Sequence, residues 1–191
     1  MLVLVRHGRT DANAAHLLQG RLDLPLDAQG RRQAELLAAA GVAREADLVV
    51  CSPLRRARET AALLSAEVVI DERWVEVDYG ELDGRPVADA WAPLWQRWRA
   101  DPGYAPPGGE SLAAVGRRVR AACEELRQRA TSGDVVVVTH VSPIKAAVTW
   151  ALSVPDAVAS QLFLDVASVS RITMGDQGPM VHSLNETWHL A

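Results

Sequence analysis

Four side chains in this sequence are of types that handle phosphate, and each follows a short apolar run. Arg6 and His7 come directly after Leu2-Val-Leu-Val5, Arg55 comes after Leu48-Val-Val50 by way of Cys51-Ser52-Pro53-Leu54, and His140 comes after Val135-Val-Val-Val138 and Thr139. A guanidinium holds phosphate oxygens with a planar fork of donors. An imidazole can attack phosphorus through one ring nitrogen if the other is held as a donor. Two of the runs are followed by Ser-Pro, at Ser52-Pro53 and Ser142-Pro143. Ser suits an N-cap and Pro the first helical turn, so the spacing predicts two helices that begin where strands end. Helix N-termini carry partial positive charge and unpaired N–H groups, which favour an anion. Two Arg, two His and two helix ends describe a site for one phosphate dianion.

Other phosphate chemistries fit less well. A cysteine phosphatase needs Arg six positions after its Cys, and Cys51 has Ala57 there. The chain has neither a Walker A loop nor a dinucleotide Gly-x-Gly-x-x-Gly. His7, His16, His140, His182 and His189 show no metal-ligand spacing, so neither a metal nor another cofactor is expected. Histidine is the nucleophile that remains. Each residue alone also has a plain reading: a histidine after a strand is commonly a hydrogen-bonded structural residue, and an Arg in a first helical turn is commonly solvated. Their joint placement after three apolar runs favours chemistry.

The elements that must position these groups are legible in the same runs. Short, β-branched and apolar on both faces, they read as buried strands of a mostly parallel sheet, whose carboxyl ends share one ligand-binding edge. Helices are expected over 28–40 and 54–66. From Glu110 onward, Leu112, Val115, Val119, Cys123 and Leu126 recur three or four apart, with Arg117, Arg118, Arg120, Glu124, Glu125 and Arg127 on the other face. This alternation implies an α/β layered domain. The Pro- and Gly-rich stretch 101–109 reads as a loop between two helices. Leu162–Val166, Val169–Met174 and Met180–Leu184 read as strands, the last two as a hairpin turned at Gly175-Asp-Gln-Gly178.

Composition narrows the partners. The chain has 191 residues, and 20 Lys plus Arg against 24 Asp plus Glu give 20 − 24 = −4, with 49% apolar residues. That excludes most disordered and collagen-like readings, and it lacks the basic footprint that a nucleic-acid coat needs. Cys51 and Cys123 are too few for a disulfide framework, which fits a reducing, cytoplasmic setting. The opening apolar run is five residues long, against roughly 7–15 for a signal-peptide core and about 20 for a membrane span. Lys145 is the single lysine among the 20 basic residues, a bias toward Arg that we read mainly as codon usage.

Six segments, in order, carry a family likeness. Arg6-His7-Gly8-Arg9-Thr10 with Asn13, then Gln19-Gly20-Arg21-Leu22-Asp23-Leu24-Pro25-Leu26 with Gly30, Gln33 and Ala34, resembles the N-terminal signature of the histidine phosphatase superfamily, phosphoglycerate mutase-like branch. Ser52 to Thr60, Glu76 to Gly84, Gly108 to Ser111 and Val138-Thr-His140 extend the likeness over residues 2 to about 150. The stretch from Thr139 to Lys145 and the closing Leu184–Leu190 resemble actinobacterial members similar to α-ribazole phosphatase and broad-specificity acid phosphatases. Many relatives carry Gly-Gly after the second histidine, where this chain has Val141-Ser142.

The resemblance implies a single three-layer α/β domain over 1–191, with a central mostly parallel sheet and a small helical cap inserted at about 86–110. It implies that His7 is the nucleophile, that Arg6, Arg55 and His140 hold the phosphoryl group, and that Glu76 is the general acid, its charge disfavoured by a closed, partly apolar pocket. Thr10, Asn13, Gln19, Gly20 and Val141 would contact substrate. In the expected cap, Trp91, Trp95 and Trp98 fall at i, i+4 and i+7 and read as packing more than as ligand contacts. The expected activity is hydrolysis of a small phosphate monoester. A phosphoglycerate mutase, a phosphohistidine phosphatase and a binding module without turnover are the rivals. Neither nucleic acid nor membrane is expected as a partner, and a homodimer is compatible with the chain.

Overall fold

The structure is a computed structural model; it describes the backbone of residues 1–191 and every side chain except that of Trp91. The three apolar runs form the centre of one six-stranded sheet. Strand β1 (Leu2–Arg6) pairs in parallel with β4 (Val135–Thr139), and β4 pairs in parallel with β2 (Leu48–Cys51), giving the order β3-β2-β4-β1-β5-β6. The short β3 (Val69–Ile70) is the parallel edge. On the other side of β1, β5 (Val169–Gly175) and β6 (Gly178–Glu186) are antiparallel and joined by a two-residue turn, as the hairpin pattern predicts.

Continuous apolar sequence is what a strand covered on both faces requires. Leu2, Leu4, Val135 and Val137 enter one core cluster with helix α5 (Leu112–Ser132) and helix α6 (Val141–Leu152). Val3, Val5, Val136 and Val138 face the opposite cluster, with Leu37 of α2 (Ala28–Ala39) and Ala57 and Ala61 of α3 (Arg55–Leu64). The period-2 alternation of a strand thus builds the three layers. The helices predicted over 28–40, 54–66 and from Glu110 are all present.

Three local expectations are corrected. Leu162–Val166 is not a strand: the Leu164 carbonyl accepts from the Arg6 guanidinium at 2.7 Å, and Asp165 N donates to the Asn185 side chain at 2.6 Å. Those side-chain partners replace a ladder, while the Leu164 side chain is buried. Neither Ser52 nor Ser142 is an N-cap. The cap of α3 is Leu54, with the Ser52 hydroxyl accepting from Leu54 N one step earlier, and the cap of α6 is His140 in extended conformation. Only His140 separates β4 from α6, so Ser142 and Pro143 fall inside the first helical turn.

The segment 86–110 holds helix α4 (Val87–Ala100) and the predicted loop. Trp98 is fully buried, its indole N–H donating to the Tyr104 carbonyl at 2.9 Å, and Trp95 meets it edge-on with ring centroids 6.4 Å apart. Both pack against the core, as read from their spacing. The side chain of Trp91 lies outside the described residues.

Candidate active site

The end of β1 fixes the first two groups. His7 N continues the parallel ladder by donating to Thr139 O at 3.0 Å, so β1 and β4 deliver Arg6-His7 and His140 side by side. The two imidazoles sit with centroids 5.0 Å apart, inclined at 59°. Gly8 is required because the chain must pass over α2 here: a Cβ on Gly8 would stand 2.4 Å from the Gly30 carbonyl oxygen. The Gly8 N–H donates to the buried Thr60 hydroxyl at 3.1 Å.

The His7 tautomer is set by its partners. Nδ1 lies 2.7 Å from the carbonyl of Gly8, an acceptor, so Nδ1 carries the proton. Nε2 is left with its lone pair, and the Nε–H of Arg56 donates to it at 3.2 Å. Burial first, then the Arg56 and Arg6 cations, hold His7 well below the ordinary histidine value. The ring is neutral at physiological pH with its free nitrogen facing a guanidinium. His140 is depressed in the same way, by burial and then by Arg56. Its Nε2 is 2.7 Å from the Ser52 hydroxyl, and its buried Nδ1 has no partner among the described residues.

The arginine beside His7 is therefore Arg56, not Arg55. Arg55 points outward, with half its side chain exposed and its Nε–H donating to Glu59 at 2.7 Å. Arg56 is fully buried. Its other donors reach the Leu22 carbonyl at 2.8 Å and the Gly20 carbonyl at 2.9 Å. Burial lowers Arg56 to about 10, which leaves it charged at neutral pH. The helix pattern carries the distinction: Arg56, Ala57, Thr60 and Ala61 are the buried stripe of α3, and Arg55 is off it. Reading the first turn by its nearness to the strand, instead of by its stripe, selects the wrong residue.

Both helix N-termini already hold protein carboxylates. Glu76 accepts from Val77 N at 2.8 Å, Val141 N at 3.1 Å and Ser142 N at 3.1 Å, so it sits on the first turn of α6. Asp23 accepts from Arg55 N at the start of α3. The expectation that these ends stand open for phosphate is corrected; one of them instead positions the buried Glu76 carboxylate beside the two histidines. Val141 and Ser142 supply the N–H groups that do so.

Of the remaining predicted contacts, Asn13, Gln19 and Val141 line a cavity of about 450 Å³ together with Arg6, His7 and Glu76. Thr10 and Gly20 do not. Thr10 caps the short helix α1 (Asp11–Ala14) and donates to Gln19 at 2.7 Å, while Gly20 N donates to Asp83 at 2.7 Å. Asp83 also accepts from Arg21 N and Leu22 N, so the 19–22 loop is clamped between that carboxylate and Arg56. Sequence reasoning missed Arg56, Asp83 and Lys145, which lines the cavity. Among the described residues no group of His, Cys, Asp and Glu could hold a metal ion.

This arrangement has counterparts. The sequence model of the "histidine phosphatase superfamily (branch 1)" matches residues 2–187. The chain belongs to that superfamily. A protein of Mycobacterium tuberculosis described as bifunctional is 38% identical over 99% of this chain, which spans about half of that relative, 54%. Phosphoserine phosphatase 1 of Hydrogenobacter thermophilus is 35% identical over 99% of this chain and 93% of its own. Among solved structures, a mycobacterial glucosyl-3-phosphoglycerate phosphatase superimposes with a TM-score of 0.85 at 34% identity, over 97% of this chain and 98% of that one. The histidine phosphatase fold is thus the six-stranded α/β sheet described above, with its two histidines at the carboxyl ends of neighbouring parallel strands. No helix among the described residues is long and apolar enough to cross a membrane.

Proposed function

We propose that this histidine phosphatase is a metal-independent phosphomonoesterase that hydrolyses small phosphorylated metabolites through a phosphohistidine on His7. The observation that carries the reading is the neutral His7 ring, with Nδ1 committed to Gly8 and the Nε2 lone pair presented beside Arg56 at a cavity lined by Arg6. A neutral imidazole so oriented is an activated nucleophile.

In the first step phosphorus takes the place on the Nε2 lone pair that the Arg56 Nε–H now occupies, the P–N bond forms, and the P–O bond to the leaving group breaks. Arg6, Arg56 and His140 carry the charge on the phosphoryl oxygens; this is mostly positioning and electrostatics. The unpaired Nδ1 of His140 is the kind of buried polar atom that a bound phosphoryl oxygen would satisfy. Glu76 enters this step protonated, gives that proton to the leaving oxygen, and then, as the carboxylate that its three N–H bonds favour, takes one from the water that cleaves the P–N bond. Inorganic phosphate leaves and His7 returns neutral. Asn13, Gln19 and Val141 contact substrate, Thr10 and Gly20 shape the loop that bounds it, and the segment 86–110 acts as the cap.

Two similar proteins are named for different metabolites, phosphoserine and glucosyl-3-phosphoglycerate, which fits one phosphoryl site with variable walls. The charge placement favours a small phosphate monoester over nucleic acid, the two free cysteines fit a cytoplasmic setting, and a homodimer is compatible with the fold. The test is enzyme quenched in alkaline detergent, which preserves a P–N bond, after mixing with labelled p-nitrophenyl phosphate. Wild type should carry acid-labile phosphate, and His7→Ala should carry none and lose about 10⁴-fold or more in turnover. Unchanged hydrolysis by His7→Ala overturns the reading. So does isomerisation of 3-phosphoglycerate, with a trace of its bisphosphate, that outruns phosphate release.

A further inference from the structure

Lys145, the single lysine of the chain, is a charged residue that the phosphoryl chemistry leaves unused. It lies on α6 one turn beyond Val141, with about nine-tenths of the residue buried. It lines the cavity that holds His7, Arg6 and Glu76. Among the described residues its ammonium has no salt bridge and no hydrogen bond; its one neighbour of note is the Trp95 ring, 5.8 Å from Nζ to centroid, at the outer limit of cation–π range. Burial is the main cause that lowers the ammonium to about 8, against the attraction of Glu76. A buried, unpaired ammonium costs stability unless a partner arrives. The flexible four-carbon stem lets its three donors turn from the indole toward the cavity.

The charges of the cavity say what that partner is. Its described lining holds the cations Arg6 and Lys145 and the carboxylates Glu76 and Asp165. Arg6, with Arg56 behind it, is committed to the phosphoryl group and Glu76 to proton transfer. Of the two cations only Lys145 is left without an assigned anion, and its single charge matches one monoanion; Asp165, which accepts from the Asn185 side-chain amide at 2.9 Å, stays as a carboxylate of the wall. A second phosphate dianion would instead overfill that charge and face Asp165.

We propose that Lys145 is a specificity-determining residue that binds a carboxylate carried on the leaving group, so that the preferred substrates are phosphate monoesters of hydroxy acids. This rests on the phosphomonoesterase reading above. The apolar neighbours Leu17, Leu18 and Val87 close the remaining wall over a short carbon chain.

The test compares kcat/KM for 3-phosphoglycerate and for glycerol 1-phosphate, which differ in the carboxylate alone, in wild type, Lys145→Met and Lys145→Arg. A charge-assisted hydrogen bond is worth about 1.5–3 kcal/mol, so Lys145→Met should lower the ratio of the two constants about 10- to 100-fold. Lys145→Arg should keep most of the preference. Lys145→Met should melt at the wild-type temperature or above, because it removes a buried unpaired charge, and a native melt secures the comparison. A ratio changed less than threefold in Lys145→Met overturns the inference. A wild-type preference for 1,3-propanediol bisphosphate over 3-phosphoglycerate that Lys145→Met abolishes also overturns it, since the partner is then a second phosphate. If wild type hydrolyses none of these esters and not p-nitrophenyl phosphate either, the phosphomonoesterase reading itself falls, and the inference with it.

Discussion

The floor of the cavity and its walls are built by different means. Floor residues come from regular elements: Arg6 and His7, which line the cavity, come from the end of β1, and fully buried against His7 lie His140, from the junction of β4 and α6, and Arg56, from the buried stripe of α3. Each is locked by partners of its own, such as Gly8 for His7, Ser52 for His140, and the Gly20 and Leu22 carbonyls for Arg56. The walls come largely from loops. His16 takes a left-handed φ of 53° there, and Phe163 stands 71% exposed in an irregular segment. A rigid floor suits a transition state whose geometry is the same for every phosphate ester, whereas loops can vary the leaving-group contacts without disturbing the sheet.

The sharpest way to break this contrast is to set one floor residue against its immediate neighbour in sequence. Arg56→Ala should lose about 10³-fold in kcat/KM for p-nitrophenyl phosphate, as removal of a charged donor from a buried transition-state site does. It also frees the Gly20 and Leu22 carbonyls, so part of that loss reflects a loosened 19–22 loop. Arg55→Ala removes an exposed pair with Glu59 and should stay within about threefold. Equal losses in the two variants would erase the distinction that the structure draws between them.

The floor is also the part most open to sequence reading, and the exceptions are instructive. Apolar runs covered on both faces leave little freedom: Val135–Val138 can only be a central strand, and His140 just beyond it can only lie at the sheet edge. Proximity to a strand end, weighed without the helix phase, selects Arg55 over Arg56, and α3 resolves the choice by burying Arg56 on the Ala57–Ala61 stripe. The two helix ends look open in sequence because Glu76 and Asp23 are remote from them; the distances of those carboxylates to Ser142 N and Arg55 N are tertiary facts. Leu162–Val166 is apolar enough to read as a strand, yet it buries Leu164 and gives that residue's carbonyl to Arg6 instead of to a ladder. Lys145 stands out in sequence as the single lysine and the end of the Thr139–Lys145 stretch, yet neither fact gives it a role, and only the cavity does.

Glu76 sits between the two regions, since its backbone belongs to a loop and its carboxylate to the α6 terminus. Glu76→Gln preserves shape and removes the transferable proton. Its cost should scale with how badly the leaving group needs protonation: about 10²-fold for alkyl phosphates and much less for p-nitrophenyl phosphate. A uniform loss across both esters would instead assign Glu76 a purely structural place, as the acceptor for Val77, Val141 and Ser142.

The smallest effect concerns the fold itself and comes from the same burial that prepares the nucleophile. His7 and His140 are both held below the ordinary histidine value in the folded chain, burial being the largest cause. As pH falls below the unfolded value of about 6.5, the unfolded chain takes up protons that these two rings refuse, so stability must drop with falling pH. The slope is at most about 1.4 kcal/mol per pH unit for each ring. Above that pH both states leave the rings neutral and they contribute no slope. Urea denaturation from pH 7.5 down to 5.5 measures the sum. His140→Asn removes one of the two titrating rings, so the fall in its unfolding free energy over that range should be visibly shallower than in wild type. The same slope in both proteins would mean that His140 protonates freely in the folded state, and the rigid, desolvated floor would then be no different from the walls.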